Sequence, residues 1–217
     1  AACSGFIYAL DIASRYIMTG TKKVLVISSE IRSKFTNPKD ASTYPIFGDG
    51  ASAVVLESSI SNSFSIKAIE TFADGRGYDS ILIPAGGSRQ PASIETVESG
   101  EHFIKMNYGE KIFFEVVENM TVQTPKFLEK CGLSIDDIDF VIPHQANINI
   151  LKEVNRRLKL PQGKMLINID KVGNISSASI PLLLSQSIES GIIKQGNKVL
   201  AISAGAGHTM GLALLSL

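Results

Sequence analysis

The sequence predicts an α/β fold that contains two copies of one helix–strand–turn–strand unit. The segment TKKVLVISSE at 21–30 aligns with GNKVLAISAG at 196–205, an offset of 175 residues, with Lys, Val, Leu, Ile and Ser identical in both. Each copy follows a helix and a glycine, and each precedes a Gly-rich turn and a second apolar strand. Near-continuous apolar strands are typical of a sheet that is covered on both faces. The repeat therefore predicts an internally duplicated fold.

The remaining elements follow from periodicity and from the residues that interrupt it. Apolar residues at helical spacing predict helices at 4–19, 110–131 and 147–160, and a further helix within 171–191 after a loop. Short apolar runs predict strands at 21–30, 63–73 and 165–169, a Gly-rich turn followed by a strand within 47–57, a short strand running into a turn within 138–147, and a pair of strands within 197–217. Segments 34–45 and 74–100 are rich in polar residues, Pro or Gly and are predicted to be connections.

The duplication also divides the chain. The second copy has a strand and a helix upstream of its repeat, whereas the first copy has only the helix at 4–19. We therefore expect 1–95 to be the remainder of an N-terminal half with its connecting loop, and 96–217 to be the C-terminal half. On this interpretation the chain starts in the middle of its first half.

Composition excludes several classes of function. The 21 basic and 21 acidic residues cancel, so neither nucleic acid nor a membrane surface is an expected partner. No apolar run reaches the roughly 20 residues that a membrane-spanning helix needs. The two cysteines do not form a disulfide framework, which predicts a reduced, cytoplasmic protein. The three histidines have no metal-ligand spacing, so no metal site is expected.

Three small-residue turns carry side chains that could do chemistry. They are Cys3 in AACSGF, His144 in VIPHQAN and Asn174 in VGNISSAS. A helix N-terminus lowers the pKa of a thiol, and Cys3 precedes a predicted helix. Histidine and asparagine can both stabilise an enolate by hydrogen bonding. The loop 204–207 offers closely spaced backbone N–H groups of the kind that an oxyanion hole needs.

Each of these signals also has a structural interpretation. A cysteine near a terminus, a histidine after a strand and an asparagine after a glycine are each common without any catalytic role. Cys131 is interpreted as a small buried apolar side chain. His208 follows the Gly-rich turn and stays a minor candidate. The pair Arg156 and Arg157 is either a solvated helix face or a docking site for an acidic partner.

Taken together, AACSGF, FGDGA, VIPHQAN, GNISSAS and GAGHTMG resemble the β-ketoacyl-[acyl-carrier-protein] synthase III family of the thiolase superfamily. The resemblance runs along the whole chain, and PHQAN followed by GNIS is its most specific part. It implies a thiolase-like duplicated fold with α-β-α-β-α layers, of which the first half is incomplete here. The resemblance also places roughly another third of a family chain upstream of the nucleophile, so residues 1–217 are not expected to be a self-sufficient enzyme.

The resemblance assigns roles to particular residues. Cys3 would accept an acyl group from an acyl-CoA primer, and malonyl-acyl carrier protein would then bind. His144 and Asn174 would stabilise the enolate left by decarboxylation, which would attack the Cys3 thioester. The backbone N–H groups of Cys3 and Ala206 would form the oxyanion hole. The resemblance implies no cofactor beyond these thioester substrates, and it implies a homodimer.

Some positions depart from the family pattern. The terminal turn commonly reads Phe-Gly-Gly-Gly, whereas this chain has Ala204-Gly205-Ala206-Gly207 followed by His208. Ala204, His208 and Asn147 are therefore expected to shape the substrate tunnel. Asn149 stands where an arginine often helps to dock the carrier protein, while Arg156 and Arg157 match a basic pair on the same helix.

The leading interpretation is a condensing enzyme of fatty acid biosynthesis. The alternatives are a polyketide-type ketosynthase or acyltransferase homologue, and a non-catalytic partner subunit. The silent subunit predicts a lost nucleophile or triad member, and none is lost. An α/β-hydrolase is disfavoured because the sequence has no G-x-[SC]-x-G elbow.

Overall fold

The structure is a computed structural model, and it describes residues 1–58 and 64–217. The helices are α1 (Gly5–Met18), α2 (Ile94–Glu98), α3 (Gly109–Lys130), α4 (Ile148–Arg157), α5 (Ile169–Val172) and α6 (Ser179–Glu189). The strands are β1 (Lys23–Ile31), β2 (Asp49–Glu57), β3 (Ser65–Ala73), β4 (Ile81–Leu82), β5 (Lys105–Met106), β6 (Phe140–Pro143), β7 (Lys198–Gly205) and β8 (Thr209–Ser216).

The two predicted repeats form the same local structure. In the first copy β1 pairs antiparallel with β2, so that Lys23 lies opposite Glu57. In the second copy β7 pairs antiparallel with β8, so that Lys198 lies opposite Ser216. The second pair belongs to a four-stranded sheet with the order β3-β8-β7-β6, in which only β6 and β7 run parallel.

Strand β7 is buried on both faces, as its apolar run predicts. Successive side chains of a strand point to opposite faces of the sheet. Leu200 and Ile202 join a core cluster with residues of α3 and α4. Val199 and Ala201 join a second cluster with residues of α1 and α6. Helices on both faces of the sheet therefore give the layered α/β arrangement.

The first copy differs from the second on one face. Leu25 and Ile27 are 59% and 62% exposed, whereas the equivalent Leu200 and Ile202 are 0% exposed. The difference arises because α3 packs against β7, while α1 and α6 pack against the opposite face of the β1–β2 pair, where Val26 is buried.

Two sequence predictions need correction. The run 165–169 is not a strand, because only Met165 forms an isolated bridge, to Val141. The connection 74–100 contains β4 and α2, and β4 pairs with β5. Strand 63–73 is confirmed from Ser65 onward, and Ser63 lies outside the described residues.

Within the described ranges, no helix combines the length and the apolar character needed to cross a membrane.

Candidate active site

Cys3 lies in a 3₁₀ turn, Ala2–Ser4, that leads directly into α1. The turn is fixed to the β7–β8 hairpin: the Thr209 hydroxyl donates to the Ala1 carbonyl at 2.8 Å, and the Ser4 hydroxyl donates to the Thr209 carbonyl at 3.1 Å. A Cβ at Gly205 would lie 2.7 Å from the Ala1 carbonyl oxygen and 3.0 Å from the Cys3 nitrogen. Only glycine therefore fits where the hairpin passes the nucleophile candidate.

The pKa of the Cys3 thiol is raised, which is opposite to the direction predicted from the helix N-terminus. Burial of the sulfur raises the pKa most, because a thiolate loses its solvation among protein atoms. A hydrogen bond from the Ser176 side chain and the positive charge of Arg32 lower it in part. The expectation of a lowered pKa was wrong because burial outweighs these favourable contacts.

His144 follows β6 and is 1% exposed. Its backbone N–H donates to the Ile202 carbonyl at 2.7 Å, which fixes it beside the end of β7. Burial lowers the pKa of the imidazole to about 4, and the positive charge of Arg32 acts in the same direction. The side chain is therefore neutral at physiological pH. Its Nδ1 atom is buried and has no hydrogen-bond partner in the described part of the chain.

Asn174 is held through both its backbone and its side chain. Its backbone N–H donates to the Ile46 carbonyl at 2.9 Å, and its carbonyl accepts from the Gly48 N–H at 3.0 Å. The Oδ1 atom accepts from the Ser176 N–H at 2.9 Å, and Nδ2 donates to the Ala146 carbonyl at 3.2 Å. The segment before β2 therefore places the asparagine, and the neighbouring turns orient its amide.

One cavity of about 650 Å³ brings these side chains together. Cys3, His144, Asn174 and Ala206 line it, and so do the three residues predicted to shape the tunnel, Asn147, Ala204 and His208. Most of its wall is apolar and includes Ile81, Leu82, Ile104, Met106, Ile112 and Val116. Sequence reasoning missed this wall, because β4 and β5 are two-residue strands within or beside a predicted connection.

His208 has a constrained position in the cavity wall. Its φ of 50° lies in the left-handed region, which non-glycine residues rarely adopt. Its Nε2 atom is 3.1 Å from Oε2 of Glu115. A Cβ at Gly77 would lie 2.1 Å from the imidazole ring, so the glycine leaves room for it.

Arg156 and Arg157 are ion-paired on α4. Arg156 Nη2 lies 2.7 Å from Glu153 Oε1, and Arg157 contacts both Glu153, at 2.8 Å, and Glu118, at 2.9 Å. The Arg156 side chain is 70% exposed, whereas that of Arg157 is 32% exposed. Arg157 lines a smaller cavity that His208 also lines. Of the pair, Arg156 is the residue more open to a partner.

Two models of one family match the chain. The model described as 3-Oxoacyl-[acyl-carrier-protein (ACP)] synthase III matches residues 1–75, and the model of its C-terminal part matches residues 128–217. The chain is also similar to the β-ketoacyl-[acyl-carrier-protein] synthase III of Caldanaerobacter subterraneus subsp. tengcongensis, with 45% identity over 95% of this chain and 62% of the relative.

Solved structures give the same result. The 3-oxoacyl-[acyl-carrier-protein] synthase III from Aquifex aeolicus VF5 matches with a TM-score of 0.87 and 38% identity, over 100% of this chain and 65% of that protein. The priming β-ketosynthase from the R1128 polyketide biosynthetic pathway matches with a TM-score of 0.86 and 31% identity, over 100% of this chain and 64% of that protein. The chain spans 62–65% of the length of these relatives. The family and the thiolase-like fold predicted from the motifs are confirmed: the chain belongs to the 3-oxoacyl-[acyl-carrier-protein] synthase III family.

Proposed function

We propose that the protein is a condensing enzyme that joins an acyl group from acyl-CoA to malonyl-acyl carrier protein in fatty acid biosynthesis. The observation that carries the proposal is the convergence of Cys3, His144 and Asn174 on one largely apolar cavity. The names of the relatives, which are β-ketoacyl-[acyl-carrier-protein] synthases III, support the same reaction class.

In the first step the sulfur of Cys3 attacks the carbonyl carbon of the acyl thioester. The carbon–sulfur bond to coenzyme A breaks, and the coenzyme leaves as its thiol with the proton from Cys3. The backbone N–H groups of Cys3 and Ala206 stabilise the tetrahedral oxyanion. A covalent intermediate divides carbon–carbon bond formation into two easier steps.

In the second step the malonyl group loses CO₂, and the electron pair of the broken bond becomes an enolate. A neutral His144 can donate a hydrogen bond to the enolate oxygen, and so can the Asn174 amide. The depressed pKa of His144 leaves the imidazole neutral, with one ring N–H that can donate to the enolate oxygen. The carbanion then attacks the Cys3 thioester, and the Cys3 thiolate leaves as the β-ketoacyl product forms.

The proposal assigns further roles outside the reacting groups. Ala204, Asn147 and His208 line the cavity and would shape the space for the acyl chain. Arg156, and more weakly Arg157, would dock the acidic carrier protein, and the exposure of Arg156 supports that assignment. The reaction needs no cofactor beyond the thioester substrates. The homodimer and the cytoplasmic location stay predictions.

The experiment supplies the protein, produced at its full natural length, with acyl-CoA and malonyl-acyl carrier protein. The expected result is one CO₂ released for each β-ketoacyl product, with neither formed by the Cys3→Ala variant. Transfer of the acyl group without CO₂ release would replace the proposal with a simple acyltransferase. No acylation with any donor would favour a non-catalytic subunit.

A second candidate is a priming ketosynthase of polyketide biosynthesis. The match to the R1128 priming enzyme favours it, and so does Ala204, a small residue beside the nucleophile candidate. Both candidates use the same chemistry and differ in the primer. A clear preference for acyl chains longer than acetyl would favour the second.

A further inference from the structure

A partly buried ion pair lines the region of the candidate nucleophile and has no role in the reaction above. Arg32 follows β1, and its Nη2 atom lies 2.9 Å from Oε2 of Glu30, with the two side chains 23% and 16% exposed. Arg32 also lines the cavity that holds Cys3. Burying two charges costs desolvation energy, which further hydrogen bonds must offset. The residues that form those hydrogen bonds therefore identify the segment that the ion pair stabilises.

Both members of the pair hold the same turn. Arg32 Nη2 donates to the Ser176 hydroxyl oxygen at 2.7 Å. Glu30 Oε1 accepts from the Ser177 hydroxyl at 2.6 Å and from its backbone N–H at 3.3 Å. Ser176 has a φ of 52°, a conformation that persists only where the surroundings enforce it. The ion pair supplies part of that enforcement.

The direction of the hydrogen bond from Arg32 matters. A guanidinium only donates, so the Ser176 oxygen must accept from Arg32, and its own hydrogen remains free for another acceptor. The turn that holds Ser176 packs against the turn that holds Cys3, and a hydrogen bond with the Ser176 side chain lowers the pKa of the Cys3 thiol. A hydroxyl that accepts from a cation is polarised and is a better donor to a thiolate. Ser176 thus stands between the Arg32–Glu30 pair and the turn that holds Cys3.

We propose that Arg32, anchored by Glu30, is a positioning residue that holds the Ser176 hydroxyl as a donor to the Cys3 sulfur and so favours the thiolate. This inference rests on the proposed role of Cys3 as the nucleophile. The inference adds Arg32 to the site: it is separate from Cys3, His144 and Asn174, and it acts on the protonation of Cys3.

Other charged groups near Cys3 do not provide the same effect. Glu30 opposes the thiolate, and His144 is neutral at physiological pH because its pKa lies at about 4. Glu115 and His208 face each other across the cavity wall. On α1, Asp11 pairs with Arg15, whose side chain is 73% exposed. Strands β7 and β8 and the 176–178 turn, all within the described ranges, contain one charged residue, Lys198. It lies at the start of β7, at the opposite end of the strand from the Gly205 turn.

The test measures alkylation of Cys3 by iodoacetamide between pH 5.5 and 9.5, because only the thiolate reacts. Mass spectrometry of the Cys3 peptide gives the rate, and the Cys131 peptide of the same molecule is the internal reference. The variants are Arg32→Gln, Ser176→Ala and the double variant. Arg15→Gln is the matched control, since it removes an exposed ion-paired arginine away from the cavity.

Arg32→Gln and Ser176→Ala should each raise the midpoint of the Cys3 profile and slow alkylation at pH 7 by about threefold to tenfold, within the range that a lost charge or hydrogen bond moves a pKa. Arg32 acts through Ser176 in this proposal. In the Ser176→Ala background, Arg32→Gln should therefore shift the Cys3 midpoint by less than half as many pH units as it does in the parent protein. Cys131 and the Arg15→Gln variant should keep their parent profiles.

An unchanged Cys3 midpoint in folded Arg32→Gln would overturn the inference, and so would a full Arg32→Gln effect in the absence of the Ser176 hydroxyl. If Arg32→Gln does not fold, an unchanged midpoint in Ser176→Ala overturns it equally. The assay needs no acyl thioester. Failure of Cys3 to accept an acyl group would therefore remove the proposed function alone, while the alkylation profiles decide the role of Arg32.

Discussion

The Ser176 backbone N–H donates a 2.9 Å hydrogen bond to Oδ1 of Asn174, and this contact decides how the asparagine amide is oriented. An N–H can only pair with the oxygen end of the amide, so the Nδ2 end is directed elsewhere. One Nδ2 hydrogen is donated to the Ala146 carbonyl at 3.2 Å. The second hydrogen remains available to a substrate in the cavity, which Asn174 lines.

Replacing Asn174 by aspartate tests this orientation. The carboxylate still accepts from the Ser176 N–H, but it has no N–H to offer an enolate and adds a negative charge beside it. We expect malonyl decarboxylation to fall by about 10²–10³-fold, the cost of losing one oxyanion donor. Acylation of Cys3, measured by mass spectrometry, should persist.

Asn119→Asp is the matched control, because Asn119 also lines the cavity but is assigned no role in the reaction. It should retain most of the CO₂ release. Equal losses in the two variants would show that added negative charge, and not the lost amide donor, causes the effect.

The depressed pKa of His144 predicts how stability depends on pH. The native imidazole has a pKa of about 4, whereas an unfolded histidine titrates near 6.5. Between these values the unfolded state binds more protons, so lowering the pH through this window destabilises the native state. His144 should cost about 2 kcal/mol of unfolding free energy between pH 7.5 and pH 5.

Urea unfolding at the two pH values measures this contribution. His144→Gln keeps a polar side chain but does not titrate, so its stability should change less over the same interval by about 2 kcal/mol. Parallel pH dependences for the parent and the variant would contradict the assignment of a buried, neutral His144.

The close packing of Gly77 against His208 predicts that His208→Ala relieves the destabilisation caused by Gly77→Ala. A Cβ at residue 77 would overlap the imidazole, which lies against Glu115. Gly77→Ala should therefore lower the free energy of unfolding by about 1–3 kcal/mol, the usual cost of overpacking. In the His208→Ala background the added methyl has space, and the same substitution should cost much less. An equal cost in both backgrounds would place the strain elsewhere.

The small side chain of Ala204 is expected to leave room in the cavity for a longer acyl chain. It is 8% exposed at the end of β7 and lines the cavity next to the candidate oxyanion turn. A phenylalanine here would occupy space that an acyl chain could fill, and each buried methylene contributes about 0.8 kcal/mol to binding. The ratio of Cys3 acylation by octanoyl-CoA to that by acetyl-CoA should fall by about tenfold or more in Ala204→Phe.

Because both donors are compared on the same variant, a general loss of reactivity cancels from this ratio. Ala51→Phe, at an exposed position of β2, should leave the ratio unchanged. A ratio that does not fall in Ala204→Phe would mean that the acyl chain lies elsewhere in the cavity.

The fold could be predicted in detail where apolar periodicity was strong. The β1 and β7 repeats, α1, α3 and α4 all lie within a few residues of their predicted positions. The run 165–169 misled because a short apolar run also suits an extended segment, which here forms a single bridge. The two-residue strands β4 and β5 are too short to produce a periodic pattern, and their pairing spans residues 81–106.

The sequence was enough to predict which residues form the candidate site. It was not enough to predict the electrostatic environment of those residues. Motif spacing was enough to select Cys3, His144 and Asn174, which line one cavity. The direction of the Cys3 pKa depends on burial by segments far apart in sequence, so the local helix argument failed. Arg32 was missed for the same reason, because its contact with Ser176 joins residues 144 positions apart.

The most direct test of the proposed mechanism follows the mass of the Cys3 peptide through one turnover. The protein is first incubated with acyl-CoA and then with malonyl-acyl carrier protein. The acyl mass should appear on Cys3 and then disappear as an equal amount of CO₂ and β-ketoacyl product forms. An acyl mass that never appears on Cys3, although product is formed, would contradict this mechanism.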